Sequence, residues 1–330
     1  MFSVIMTQII KMLLILFVGI LVSRLNLIND QANKGLANLL LLVVNPVVAI
    51  TALQTDYSPD LVRGLLISYA LAILTHLVMI PVSTLLIRKP ARETGAGDNL
   101  AVERFAVIYS NCGFIGIPLV QSILGSEGVL YLTAYMTVFN IFSWTHGLGL
   151  MTKDTDSTVR YTHPKNNFSA SARTLLRHLC TPMILASTLG LVFFFLQIKF
   201  PPVLSDTLAY IGNMNTPLAM IIAGVSVSQV NLPVMLRDLR VYLVSFGKLI
   251  VMPAIVFMIL LLVHVDSTVA YTILVAAACP YAATGTAFAL KYHKNYAYSS
   301  ELYAFSTLCS LITIPAFLYT ITPHILGLIS

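Results

Sequence analysis

The chain is poor in charge, in cysteine and in recognisable catalytic motifs. Only 10% of its 330 residues are Asp, Glu, Lys or Arg, where a soluble domain carries about 25%. A chain so short of charge cannot cover its own surface in water, which excludes a soluble enzyme, a disordered protein and a nucleic-acid binder. The four cysteines, Cys112, Cys180, Cys279 and Cys309, form no CxxC pair and have no His-rich spacing beside them. That pattern argues against a disulfide framework or a zinc site, so free, buried thiols are expected, with no metal and no cofactor. Neither HExxH nor GxxxxGK[ST] occurs, so neither zinc-protease chemistry nor ATP hydrolysis by this chain is expected. The first apolar run lacks a basic start and a small-residue cleavage site, and is read as a mature helix and not a signal peptide.

What is present is hydrophobic. Apolar residues make up 58% of the chain and the mean hydropathy is +0.87. A helix needs about 20 apolar residues to cross the hydrocarbon of a bilayer. Ten runs qualify: 3–23, 35–55, 62–87, 104–124, 128–150, 179–198, 207–228, 240–263, 268–290 and 300–321. The fold class expected is therefore an all-α, multi-pass membrane protein of ten helices.

The basic residues alternate between the loops. Odd-numbered loops hold fifteen, among them Arg24, Lys34, Arg88, Arg104, Arg237, Arg240, Lys291 and Lys294, and even-numbered loops hold only Arg63 and Lys199. Cytoplasmic loops collect Lys and Arg, so the odd loops are expected in the cytoplasm and both termini outside. The polar stretch 151–178 is read as a cytoplasmic linker between two five-helix units, 1–150 and 179–330.

Those units look like copies. Pro46 and Pro217 are 171 residues apart, Pro81 and Pro253 172, and Glu127 and Glu301 174, each glutamate following a Ser at the start of a run. Five is an odd number, so a second copy enters the membrane upside down, as in the inverted repeats of many secondary transporters. The fourth and ninth runs carry the densest combinations of Pro, Gly and hydrogen-bonding side chains, Asn111 to Pro118 and Pro280 to Thr286. Pro breaks a helix by removing an N–H and clashing with the preceding turn. Broken backbone survives in a membrane only when buried in protein or lining a wet cavity. Two such breaks meeting near the midplane aim helix N-termini, with their unpaired N–H groups, at one place and make an anion site. Pro46, Pro81, Pro217 and Pro253 are read as packing kinks.

No Asp or Glu lies near the middle of a run, which favours an anionic substrate over carboxylate-based cation coupling. The intramembrane cations Lys11 and Lys248 are expected to snorkel to an interface, with Lys248 retained as a possible substrate or coupling residue. His76 and His146 are expected to be buried and neutral, His76 being a candidate for proton coupling. Glu127 and Glu301 are read as structural residues opening helices.

The segments Ser110 to Leu119, Asn213 to Gly224 and Pro280 to Tyr292 resemble, in order, the fourth-, seventh- and ninth-helix motifs of the auxin efflux carrier family, with bacterial carriers of malonate or malate among its members. The resemblance implies ten helices in two inverted five-helix repeats, helices four and nine crossing as broken helices. It also implies a scaffold of helices one, two, six and seven and an elevator-type motion of the rest. By this likeness Asn111 hydrogen-bonds a substrate carboxylate and Pro118 marks the crossing, while Thr284 stands where many bacterial members have Asn. The candidate site is Asn111, Cys112, Gly113, Gly116 and Pro118 with Pro280, Tyr281, Thr284, Gly285 and Thr286. Lys248, His76, Asn45 and Asn215 are possible further substrate or coupling positions. The function expected is secondary transport of small organic anions across a bacterial inner membrane, with an anion channel or transporter-like sensor as alternatives. The partners expected are that anion and the lipid bilayer, without nucleic acid; a homodimer stays open.

Overall fold

The computed structural model describes residues 2–88, 99–152, 181–263 and 265–327. The regular elements among them are helices. In chain order they are α1 (Phe2–Arg24), α2 (Asp30–Ala52), α3 (Pro59–Leu86), α4 (Asn99–Ile108), α5 (Cys112–Thr152), α6 (Pro182–Leu196), α7 (Pro202–Ser228), α8 (Leu239–Leu262), α9 (Ser267–Ala278), α10 (Ala283–Lys291) and α11 (Tyr296–Gly327). A short helix, Leu232–Arg237, precedes α8. Of the linker expected over 151–178, Met151 and Thr152 close α5, and residues 153–178 fall outside the described residues, as do 89–98 and Cys180.

Local chemistry sets the helix starts. Side-chain oxygens of Asn29, Ser58, Thr181, Asp238 and Asp266 accept the N–H of a residue two or three positions on, capping α2, α3, α6, α8 and α9. Such caps satisfy N–H groups that a helix cannot satisfy itself. α3 and α6 begin on Pro59 and Pro182, where the missing N–H costs nothing.

Three interior prolines are handled by a local widening of the helix. Segments of π-helix over Leu40–Val44, Cys112–Gly116 and Gly247–Val251 stand immediately ahead of Pro46, Pro118 and Pro253. A wider turn draws the i−4 carbonyl away from the proline ring, which an α turn cannot do. Pro81 sits inside α3 without such a widening, so the matched prolines 81 and 253 are accommodated differently.

α5 doubles back at Gly125, whose φ of 67° and ψ of −155° are not helical. A Cβ added to Gly128 would lie 2.8 Å from Val120, one on Gly116 3.7 Å from Leu132, and one on Gly113 3.3 Å from Met136. These pairs step away from Gly125 in opposite directions along the chain, so the two arms run antiparallel. Glu127, just past the turn, accepts from the Tyr131 hydroxyl at 3.0 Å. Glu301 lies inside α11, which starts at Tyr296, and does not open the helix as expected.

Burial separates interior from periphery. Val269 to Ala278 of α9 and Gly128 to Phe139 of α5 are buried throughout. α1, α3 and α6 turn Leu14, Phe17, Leu21, Leu66, Leu77, Leu185 and Phe195 outward, an apolar surface that suits lipid and not water. Gly19 of α1 and Gly224 of α7 let the two backbones touch: a Cβ on Gly224 would stand 2.9 Å from the Gly19 Cα.

Among the described residues, seven stretches are long and apolar enough to cross a membrane: Ser3–Arg24, Asp30–Ala52, Pro59–Leu86, Cys112–Thr152, Pro202–Ser228, Leu239–Leu262 and Tyr296–Thr320. The difference from ten apolar runs has physical causes. The fourth and fifth runs share the stretch that reverses at Gly125. The sixth and ninth form helices of only 15 and 12 residues, Pro182–Leu196 and Ser267–Ala278.

Candidate functional site

Two gaps in helical structure meet in the interior. α4 stops at Ile108 and α5 starts at Cys112; α9 stops at Ala278 and α10 starts at Ala283. The intervening residues pair as one antiparallel bridge between Ser110 and Tyr281. The Asn111 N–H donates to the Pro280 carbonyl at 2.7 Å and the Ala282 N–H to the Tyr109 carbonyl at 3.0 Å. Each break thus satisfies backbone groups freed by the other, which would otherwise cost several kcal/mol apiece in hydrocarbon. Pro280, which has no N–H, participates only as an acceptor.

Side chains hold this crossing. The Tyr281 N–H donates to Ser306 Oγ at 3.2 Å, and the Tyr281 hydroxyl lies 2.8 Å from Ser299 Oγ. Gly285, one turn into α10, faces the Tyr281 ring so closely that a Cβ would stand 2.5 Å from Cζ. Gly116 approaches the Cys279 Sγ in the same way, at 3.4 Å. Cys112 and Cys279 are buried free thiols, and Cys309 is half-buried and also free. Pro118 is not at the crossing: it is the second residue of the helical segment after the widened turn, and Tyr109 to Asn111 take the role expected of it.

The polar groups here are out of water and only partly satisfied. Lys248 is 1% exposed. Its Nζ donates to Ser110 Oγ at 2.5 Å and to the Ala277 carbonyl at 3.3 Å. The expected snorkelling does not occur, because Ser110 and Ala277 offer acceptors within the protein; exposed Lys11 faces outward. The ion pairs Lys34–Asp30, Lys199–Asp56 and Arg240–Glu103 do not include Lys248. Asn111 Nδ2 and the hydroxyls of Tyr135, Tyr303 and Thr307 are buried without hydrogen-bond partners. Tyr303 stands beside Asn111 and Thr307, and Tyr135 beside Ser110 and Cys112.

Asn45 and Asn215 meet behind the start of α5. Asn215 Nδ2 donates to Asn45 Oδ1 at 2.7 Å and to the Gly113 carbonyl at 3.3 Å, and a Cβ on Gly113 would press on Asn45 Nδ2 at 2.7 Å. This pair braces the turn that positions Asn111. His76 is fully buried, with Nδ1 2.8 Å from the Ala72 carbonyl and its ring stacked on Phe142 at 5.1 Å. Tyr109 and Tyr135 pack against it, and the Tyr109 hydroxyl lies 3.0 Å from His146 Nδ1.

A cleft of about 790 Å³ runs between α2, α7, α10 and α11. Asn33, Asn38, Ser226, Thr286 and Tyr303 line it, with Asp30, Lys34, Lys291 and Glu301 among its charged groups. Tyr303 belongs both to this lining and to the surroundings of Asn111, so it stands between the cleft and the crossing. Thr284, next in sequence to lining residue Ala283, has a buried, unpartnered Oγ1.

Glu103 escaped the sequence reading. It is 0% exposed and accepts from Arg240 Nε at 3.0 Å, Arg240 Nη2 at 2.8 Å and the Tyr298 hydroxyl at 3.0 Å. Its partner lies 137 positions away in a segment read as loop charge. The available signal was a single acid inside Ala101-Val102-Glu103-Arg104-Phe105-Ala106.

Apolar faces turned outward and a buried polar crossing define a multi-pass membrane protein. A family model described as a membrane transport protein matches residues 4–318. The chain belongs to that family, the auxin efflux carriers, which are transporters and not enzymes. A search of curated proteins matches none of them.

Proposed function

We propose that this protein is a secondary transporter of small organic anions, carboxylates, in a bacterial inner membrane, working by elevator-type alternating access. The observation that carries the reading is the crossing itself: an ammonium with no acid beside it among the described residues, an amide donor and several hydroxyls, all buried and incompletely bonded. A carboxylate is the guest that such donors accept best. It would pass along the cleft, past Tyr303, to Asn111 and Lys248.

Ten crossings in two inverted halves, with both termini outside, complete the proposal. Contacts at a common offset support it. Gly19 packs on Gly224 and Leu53 on Gly190, and each member of the second contact is displaced by 171 residues from its counterpart in the first. The bridged residues Ser110 and Tyr281 are also 171 apart. In this reading α1, α2, α6 and α7 form the scaffold and the remaining helices carry the site across. Lys34 and Lys291, in the lining of the cleft, belong to loops assigned to the cytoplasm, so the cleft faces inward.

Reconstitution in liposomes tests the reading. Labelled mono- and dicarboxylates and aromatic acids are offered under an imposed potential. Uptake of at least one is expected; if none binds and none moves, the substrate class is wrong.

A further inference from the structure

We propose that Lys248 is the counter-charge of the bound substrate and fixes its valence: the site takes singly charged carboxylates and is itself positively charged when empty. This rests on the transporter reading above and adds to it a charge count and a consequence for the cycle.

The count comes from the interior. Lys248 Nζ has three N–H donors. Two are taken by Ser110 Oγ and the Ala277 carbonyl, both uncharged acceptors. The remaining one, with the unpartnered Asn111 Nδ2, matches the two oxygens of one carboxylate. The nearby ion pair of buried Glu103 with part-exposed Arg240 is closed on itself and on Tyr298. It therefore contributes no net charge to a guest.

A second negative charge on the guest would extend into the cleft. There Lys34 and Lys291 are matched by Asp30 and Glu301, and Lys34 already pairs with Asp30 at 2.5 Å. The cleft thus offers no surplus positive charge to a second carboxylate, and Glu301 repels it. A monoanion leaves the loaded interior neutral, whereas a dianion leaves it negative.

The consequence concerns the return step. A loaded site moves as a neutral pair, but an empty one carries a bare ammonium. Moving one full charge through a 100 mV potential shifts an equilibrium by up to about 50-fold. Exchange of bound anions, in which the site never returns empty, is therefore faster than net flux, and the membrane potential acts on the empty return.

Two measurements test this on the full chain. The first is calorimetric binding in detergent near neutral pH, using propionate and phenylacetate against malonate and succinate. Monoanions are expected to bind at least about tenfold tighter, the scale of one hydrogen bond to a charged group. Lys248→Met is expected to lose this binding and Lys248→Arg to keep part of it. Equal or tighter binding of the dianions to the unaltered protein overturns the inference, even should Lys248→Met fail to fold, as does a folded Lys248→Met with undiminished affinity. The second measurement compares labelled counterflow with net efflux from liposomes whose potential is set by potassium and valinomycin. Counterflow above net efflux, with only net efflux responding to potential, supports it; equal rates overturn it while leaving the transporter reading intact. Binding of no carboxylate at all removes that reading, and this inference with it.

Discussion

Arg240 and Glu103 provide the sharpest test of how the interior is held together. The Glu103 side chain is 0% exposed and that of Arg240 23%, so removing one partner is not the same as removing the other. Arg240→Ala strands a carboxylate in the protein with Tyr298 as its remaining donor; breaking a buried pair from one side costs about 3–5 kcal/mol. Protonation sets a ceiling. Taking up a proton at pH 7 costs an ordinary glutamate about 1.4 kcal/mol per pH unit above its reference pKa near 4.3, or roughly 4 kcal/mol in all. The expected loss is therefore about 3–4 kcal/mol at pH 7. Glu103→Gln leaves an arginine that can turn towards water, and is expected to cost about 1–2 kcal/mol. The double variant should be more stable than Arg240→Ala alone, because no stranded charge remains. The sign with pH follows: without arginine the folded protein favours the neutral acid, so the destabilisation is full only above the raised folded pKa, shrinks as pH falls below it, and is gone below the unfolded pKa. Thermal unfolding of the purified variants in one detergent, at pH 7 and pH 5.5, reads all four quantities. An Arg240→Ala midpoint matching the unaltered protein, or a double variant no better than that single one, would refute the reasoning.

Asn111→Ala should weaken carboxylate binding by about 10- to 150-fold, the equivalent of roughly 1.5–3 kcal/mol for a hydrogen bond to a charged group. The unfolding midpoint should hardly move, because Nδ2 has no partner to lose in the empty protein; calorimetry and thermal unfolding together check it. Gly125→Ala should cost about 1–3 kcal/mol of stability: space around the position is open, yet its φ of 67° with ψ of −155° is one that side-chain-bearing residues avoid. Gly224→Ala should destabilise far more than Gly190→Ala. The first sets a methyl against the Leu16 carbonyl and the Gly19 backbone, while the second first meets the movable end of Leu53, at 2.6 Å. Comparable unfolding midpoints for those two would contradict the backbone contact between α1 and α7.

Much of this was legible because hydropathy acts locally. Apolar runs, and Pro with Gly inside a run, each announce themselves over a few residues. The breaks flanking Asn111 and Pro280 could be read for the same reason. Lys248 could not be placed that way. Whether a lysine eight or nine residues into a run snorkels or is buried depends on acceptors elsewhere, here Ser110 and Ala277, which lie far off in sequence. Glu103 was missed on the same grounds, its charge being answered by Arg240 and Tyr298 from two other helices. Pro118 misled in the opposite direction. A proline in a run signals an interruption, but the widened turn over Cys112–Gly116 absorbs it, and the true gap opens a turn or two earlier.

The interruption of α9 also explains how an ammonium can be kept inside without an acid. The last carbonyls of a helix have no partners within it, and together they carry roughly half a negative charge. Ala277 is the penultimate residue of α9. The N–H four positions on, at Tyr281, turns away to Ser306, so the Ala277 carbonyl is free to accept from Lys248. A helix end can thus offset part of the lysine's charge and leave the remainder for a guest. A carboxylate in its place would neutralise Lys248 permanently, and the crossing would have nothing left with which to hold an anion. Breaking the helix therefore serves two ends: it frees the backbone that pairs with Tyr109 and Asn111, and it supplies Lys248 with a weak counter-charge, one that the proposed substrate would displace.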